Sequence, residues 1–348
     1  MRRVVERLFQ EEENEKKLTK RLFERIQLSM RFRIIYDIRD ENLFVAGRTL
    51  DEWTKDALKG LKQGQDVVLI VKKYAPLLSA GYLERLAESL RRTGLQKAKA
   101  ETFCLILPSG QGVKRVGHFV TKRITELSLP KVEKALYKKT ALFWLSKGVK
   151  ILSVDNVYID YGVRLEKGST VYPFNVLKGH SVVEENAVLF YSNVIDSSII
   201  GKNSVIKSSY VFDSRIGENC SVGPFAYLRQ NAVIGNDVRV GDFVEIKNSR
   251  LCDRVKSAHL TYIGDAEVGE CTNVGCGTVF ANYDGKTKHK TLVGKNVFIG
   301  CNTNLIAPLS VGDDSFIAGG STVTEDVQEN TFVVARTRQT NKKRIQKK

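Results

Sequence analysis

The stretch Val293-Gly294-Lys295-Asn296-Val297-Phe298-Ile299-Gly300-Cys301-Asn302-Thr303-Asn304-Leu305 places an aliphatic residue at every sixth position, and Val311, Ile317 and Val323 continue the count. Ile234, Val240 and Ile246 keep the same period, as do Val182, Val188, Val194, Ile200 and Ile206. Neither the 3.6-residue period of a helix nor the alternation of a flat strand sustains such a pattern. A triangular solenoid does. Each six-residue unit makes one short side, its aliphatic residue points inward, and three sides close a coil whose apolar residues are buried only against neighbouring coils. Glycines at 201, 217, 223, 235, 241, 269, 294, 300 and 312 follow the inward residue, where a corner demands tolerance of crowding and of unusual backbone angles. The period predicts a parallel β-helix over residues 151–335, and leaves its handedness open.

Residues 1–150 follow another grammar. Leu8 to Leu28 is charge-rich with Leu18, Leu22, Phe23 and Ile26 at helical spacing, which predicts an amphipathic helix. Asp66 to Val71 is an apolar run suited to a buried strand, Leu83, Leu86 and Leu90 recur at helical spacing, and Phe103 to Leu107 forms a second run ended by Pro108-Ser109-Gly110. A further helix is expected over Lys131–Leu145. The expected class is an α/β N-terminal domain followed by an all-β helix of hexapeptide repeats, with 336–348 as a basic tail carrying seven Lys or Arg and no acid.

Composition sets limits on function. The 348 residues carry a formal charge of +16, which favours anionic partners. No nucleic-acid recognition motif accompanies that charge, so a solvated basic surface or a field for an anionic substrate is the better expectation than nucleic acid. No apolar run is long enough to span a bilayer, and the basic start runs into Glu11-Glu12-Glu13, so membrane insertion is not expected and the cytoplasm is the expected compartment. The six cysteines lack CxxC or Cys/His metal spacing and read as reduced thiols, with no metal site expected.

Three segments carry more than periodicity: Gly223-Pro224-Phe225-Ala226-Tyr227-Leu228-Arg229, Val240-Gly241-Asp242-Phe243-Val244-Glu245-Ile246-Lys247 and Ala258-His259-Leu260-Thr261-Tyr262-Ile263-Gly264-Asp265. With Asn273 to Thr278, Asn282 to Thr291, Gly300 to Thr303 and Ile317 to Ser321, they closely resemble the acetyltransferase domain of the bacterial bifunctional N-acetylglucosamine-1-phosphate uridyltransferase/glucosamine-1-phosphate acetyltransferase. The resemblance covers roughly residues 150–340. It implies a left-handed parallel β-helix assembled as a homotrimer, with sites between subunits, that N-acetylates glucosamine 1-phosphate from acetyl-CoA. A relative acting on another amino-sugar phosphate, and a non-catalytic β-helical scaffold, are the alternatives.

The chemistry needs a base for the amine and donors for a phosphate. His259 is the natural base, because an imidazole is largely neutral near pH 7; the resemblance implies that Glu245 orients it. It also implies that Arg229 and Lys247 hold the phosphate, that Tyr262, Asn273 and Lys288 line the same pocket, and that Asn282 and Tyr283 stand near the amine and acetyl group. Cys276, Cys301, Gly319 and Arg336 match positions along acetyl-CoA, where the family pattern usually has Ala, Ser and Ala at the first three. Tyr283-Asp284-Gly285-Lys286 breaks the six-residue count and predicts a loop leaving the coil.

The N-terminal half departs from the family. The glycine-rich phosphate loop of the uridyltransferase domain has no counterpart, and Tyr74-Ala75-Pro76-Leu77-Leu78 places Tyr74 where a metal-binding aspartate is expected. A phenol cannot replace a carboxylate on magnesium at neutral pH. Residues 1–150 are therefore expected to be a shortened or degenerate relative without uridyltransferase activity, or an unrelated module aiding trimer assembly.

Overall fold

A computed structural model describes residues 32–36, 44–59, 61–63, 67–71, 78–100, 102–107, 111–115 and 129–341. The chain divides into two compact units, Met1–Leu43 with Thr49–Val132, and Phe44–Arg48 with Glu133–Lys348. The helix expected over Leu8–Leu28 lies outside the described residues, as does Tyr74.

The first unit is α/β. Strand Phe32–Tyr36 runs parallel to Val67–Val71, which pairs antiparallel with Phe103–Ile106. Lys97–Lys99 and Val113–Arg115 complete a five-stranded mixed sheet. Helix Ala80–Arg92 starts at Ser79, whose hydroxyl accepts from the Tyr82 amide. It buries Leu83, Leu86, Ala87 and Leu90 in a cluster with Val67, Leu69, Val71, Phe103 and Leu105. The runs expected as strands over Asp66–Val71 and Phe103–Leu107 appear as Val67–Val71 and Phe103–Ile106, and the helix carrying Leu83, Leu86 and Leu90 is present.

The second unit is a three-sided parallel coil. Among the described residues, an eleven-stranded face runs from Lys150–Ile151 to Phe332–Val333 and a ten-stranded face from Tyr158–Ile159 to Thr322–Val323. A nine-stranded face runs from Arg164–Leu165 to Leu309–Val311. We call these the first, second and third faces. Helix Leu129–Ser146 belongs mainly with the coil, because Ala141 joins its core and Tyr137 donates to Asp160 at 3.3 Å. By contact the units part at Val132/Glu133, with Phe44–Arg48 grouped with the coil.

The inward positions expected at 293, 299, 305, 311, 317 and 323 are all buried, as are Ile234, Val240 and Ile246. Those expected at Val182, Val188 and Val194 are displaced by one residue: Val183, Leu189 and Ile195 fill the core. The cause is a side of five residues between Ile195 and Ile200, which an unbroken six-residue count passes over. Alternating side chains then send Val182, Val188 and Val194 to the half-exposed side.

Corners use two devices. At Gly241 an added Cβ would strike the Ala258 carbonyl of the next coil, so close stacking is what excludes a side chain there. The left-handed backbone is carried instead by residues such as Asn203, Asp237 and Asn302, whose short polar side chains tolerate it. Buried polar groups at one corner satisfy each other up the stack: Asn193 donates to Asn175 at 2.9 Å and accepts from the Ser209 amide at 2.9 Å.

One inward position breaks the aliphatic rule. Ser257 lies in register between Val240 and Val274, fully buried, and its hydroxyl has no hydrogen-bond partner among the described residues. An unsatisfied buried hydroxyl costs about 1–3 kcal/mol, whereas an alanine there loses only one small polar atom. Ser257→Ala is expected to stabilise the coil by about 1 kcal/mol, seen as a raised thermal midpoint. An unchanged or lower midpoint would contradict this reading.

Candidate active site

Register between coils decides which side chains meet. Arg229 pairs with Lys247 across adjacent strands of the second face, and Glu245 pairs with both Tyr227 and Tyr262. Lys247 is almost fully buried, and its ammonium faces that of Lys288. Direct side-chain contact with Lys288 comes first, then burial, then the Lys288 charge; together they push the Lys247 pKa below that of an ordinary lysine, with Asp265 opposing the shift. Two facing ammonium groups beside a guanidinium form a place where an anion removes a standing repulsion.

Asp265 organises the floor of this cluster. It is buried, accepts from Asn248 Nδ2 at 2.5 Å, and accepts also from Asn282 Nδ2. Asn282 in turn lies 3.4 Å from the Tyr262 hydroxyl. A carboxylate held by two amides on neighbouring coils fixes the Asn282 side chain without a mobile partner.

After Asn282 the chain leaves the coil, as the broken count predicts, and returns at strand Thr291–Val293. Asp284 ties this loop together: one oxygen accepts from the Lys286 and Thr287 amides at 2.7 Å each, and the other meets His289 Nε2 at 2.7 Å. Those bonds, the Thr287 amide first, hold the Asp284 carboxyl well below the usual range. Tyr283 is exposed and donates to the Gly285 carbonyl at 2.8 Å, so within this chain it serves its own loop.

His259 sits at the corner between the first and second faces. Its Nδ1 lies 2.6 Å from Asp242 Oδ1, with Asp242 and His259 in register. Glu245, expected as the partner of His259, is instead engaged by Arg229, whose Nη2 and Nε reach its Oε1 at 2.6 and 2.9 Å. The physical reason is coil length. Asp242 precedes His259 by 17 residues, one complete coil, whereas Glu245 lies three residues further on and around the corner.

The remaining positions form a file. The amides of Gly277, Asn302 and Gly320 donate to the carbonyls of His259, Cys276 and Cys301, which stacks His259, Cys276, Cys301 and Gly319 coil upon coil. Arg336 closes the file, its Cδ 3.6 Å from where a Cβ on Gly320 would stand. Asn273 stands apart from it on the first face, between Lys256 and Phe298. The residues missed in the sequence were Asp242, Asp265 and Asn248; counting one full coil back from His259 would have found the first.

Comparison with known proteins gives the family of the chain. Residues 153–257 match a family model described as the GMPPB C-terminal domain. The chain is 40% identical over 317 residues to the bifunctional protein GlmU of Clostridium kluyveri, covering 87% of this chain and 69% of that one. The chain belongs to the GlmU family. It is also 50% identical over 218 residues to the GlmU protein of Clostridium tetani, covering 63% of this chain but only 48% of that one. The resemblance read from the motifs is thus borne out, and with it the left-handed coil that the family implies. An Arabidopsis UDP-N-acetylglucosamine acyltransferase superposes with a TM-score of 0.30 at 20% identity, over 53% of this chain and 65% of that one, too loosely to bear on the site.

The Lys247–Lys288 opposition yields a prediction. Folding disfavours the protonated form of Lys247, so a bound phosphate dianion should raise its pKa back toward the ordinary value. Titration calorimetry with a sugar phosphate at alkaline pH, in buffers of different ionisation enthalpy, should therefore show proton uptake on binding. Lys288→Ala should abolish most of that uptake. Binding without proton uptake at any alkaline pH would remove Lys247 from the site.

Proposed function

We propose that this chain transfers the acetyl group of acetyl-CoA to the amine of glucosamine 1-phosphate, giving N-acetylglucosamine 1-phosphate and free CoA. The observation that carries the proposal is the cationic cluster of Lys247, Lys288 and Arg229 on the face next to the His259 corner. A scaffold requires the coil, but has no use for a buried lysine facing a second ammonium.

The residues fit both partners. Lys247 and Lys288 hold the phosphate as charge-assisted donors, with Arg229 beside them. Tyr262 and Asn282 position the sugar, and His259 takes a proton from the amine so that its lone pair is free to attack. The file of Cys276, Cys301 and Gly319 presents only small side chains, which leaves room for a thin pantetheine arm, and Arg336 at its end supplies a cation for phosphates. When bound, acetyl-CoA supplies the thioester carbonyl that the amine attacks. Cys276 and Cys301 serve as packing and backbone contacts in this scheme, not as nucleophiles.

A single solenoid face is too shallow to enclose a sugar phosphate and a thioester, so the site is proposed to form between subunits of a homotrimer. The projecting loop 283–290, with Tyr283 at its start, Glu245 on the second face and Asn273 on the first are then available to a neighbouring copy. The reaction is assigned to the cytoplasm, where acetyl-CoA and the sugar phosphate are both supplied.

The test is thiol release from acetyl-CoA with a panel of amino-sugar phosphates. Glucosamine 1-phosphate should be the preferred acceptor, His259→Ala should lower kcat by about 10²–10⁴-fold, and Lys247→Ala should raise KM by roughly 10- to 100-fold. Preference for another member of the panel would reassign the acceptor, and a folded protein releasing no CoA with any of them would favour the scaffold. Separately, uridine triphosphate with magnesium and N-acetylglucosamine 1-phosphate should yield no pyrophosphate, given Tyr74 at the metal position; pyrophosphate release would show that residues 1–150 retain nucleotidyl transfer.

A further inference from the structure

We propose that Asp242 is the positioning residue of His259: it accepts the Nδ1 proton, fixes the ring, and thereby leaves Nε2 as the atom that takes the proton from the substrate amine. The inference rests on the acetyltransfer reading for its chemistry, though not for its geometry.

Three independent features hold the pair. The main-chain register sets Asp242 directly beside His259 on the adjacent coil, and the Leu260 amide donates to the Asp242 carbonyl at 3.0 Å. Gly241 lets the two coils close at this point, because any side chain there would collide with the Ala258 carbonyl. On the other side of the histidine, the buried Thr261 hydroxyl donates to the His259 carbonyl at 2.7 Å. The backbone on both sides of each ring contact is therefore fixed, and the 2.6 Å approach of Asp242 Oδ1 to His259 Nδ1 follows from it.

The consequence is chemical. A neutral imidazole carries its proton on either nitrogen, and the hydrogen bond made by one nitrogen decides which. A carboxylate is an acceptor without a proton to give, so Nδ1 must be the donor and Nε2 keeps its lone pair. Half of the His259 side chain is exposed, at 53% of its full accessibility, so the far edge of the ring is open to a substrate. Within the chain Glu245 is placed otherwise: it stands on the second face, and its Oε1 takes the Nε and Nη2 donors of Arg229. The dyad is complete within one subunit, whatever the neighbouring copy contributes to binding.

The full chain labelled with ¹⁵N-histidine gives a direct test. It has four histidines, and the His259 signals are assigned by their loss in His259→Gln. At a pH where the imidazole is neutral, the native protein should show the Nδ1–H tautomer at His259. Asp242→Ala should move it toward the Nε2–H form and lower kcat by roughly 10- to 100-fold, with KM for the sugar phosphate changed by less than about twofold. Asp242→Asn keeps the shape but can turn its amide NH2 toward Nδ1, so it should also release the Nδ1–H tautomer and lower kcat, with KM little changed. Far-UV circular dichroism identifies a variant that has failed to fold, and the Asn variant then decides by its tautomer alone. An unchanged tautomer in folded Asp242→Ala, or a changed tautomer with kcat within about twofold of native, overturns the proposal. If the native chain transfers no acetyl group, the proposed function fails separately, and the tautomer still reports whether Asp242 sets the ring.

Discussion

Main-chain hydrogen bonding from coil to coil is the constraint on which everything else rests. A parallel ladder allows one spacing between strands and one register along them, so each residue inherits its neighbours from those one coil before and one coil after. No coil buries its inward aliphatic alone; each such residue contributes roughly 1.5–3 kcal/mol only when the coils above and below cover it. The site is assembled by this ladder. Asp242 meets His259, Arg229 lies beside Lys247, and Glu245 is in register with Tyr262 because the backbone leaves them no alternative.

That rigidity explains how the site tolerates an arrangement that would relax in a softer scaffold. Lys247 is nearly buried beside a second ammonium, and its pKa falls accordingly. A flexible loop would swing one of the two into solvent. Here Lys247 stands on a strand bonded on both sides, and its counter-charge, Asp265, is itself pinned by Asn248 and Asn282. The repulsion is retained in the folded chain, and an anion is what relieves it. The overall charge of +16 acts at longer range and guides anions toward the protein, while specificity comes from these few fixed groups.

Much of this was legible in the sequence, for reasons that also mark its limits. The six-residue period is imposed by the three-sided coil itself, so the fold and the inward residues from Val293 to Val323 follow directly. The displaced register at Val182, Val188 and Val194 has a different origin: pairs such as Val182-Val183, Val188-Leu189 and Val194-Ile195 are apolar at both positions, and a five-residue side shifts the phase without any local signal. His259, Lys247 and Arg229 stood out through their motifs. Their partners did not, because a hydrogen bond between coils joins residues some 17 apart: the resemblance pointed to Glu245 beside His259, whereas Asp242 is the residue one full coil before it. Helix Leu129–Ser146 was expected, but nothing in its sequence says that it packs with the coil through Ala141.

The loop after Asn282 applies the same logic where the ladder is absent. It has only one bridge of its own, between Tyr283 and Lys288, so it needs another source of order. Asp284 supplies it by gathering two amides, the Thr287 hydroxyl and the His289 ring onto one carboxylate. Because these bonds lower the Asp284 pKa, the order they give is fully present above the ordinary carboxylate range and is lost only as pH falls through the depressed value. At neutral pH the loop is therefore held in shape before any ligand or neighbouring subunit arrives. Lys288, carried on that loop, is set against Lys247 in advance, and the entropy of ordering it is spent in folding and not in binding.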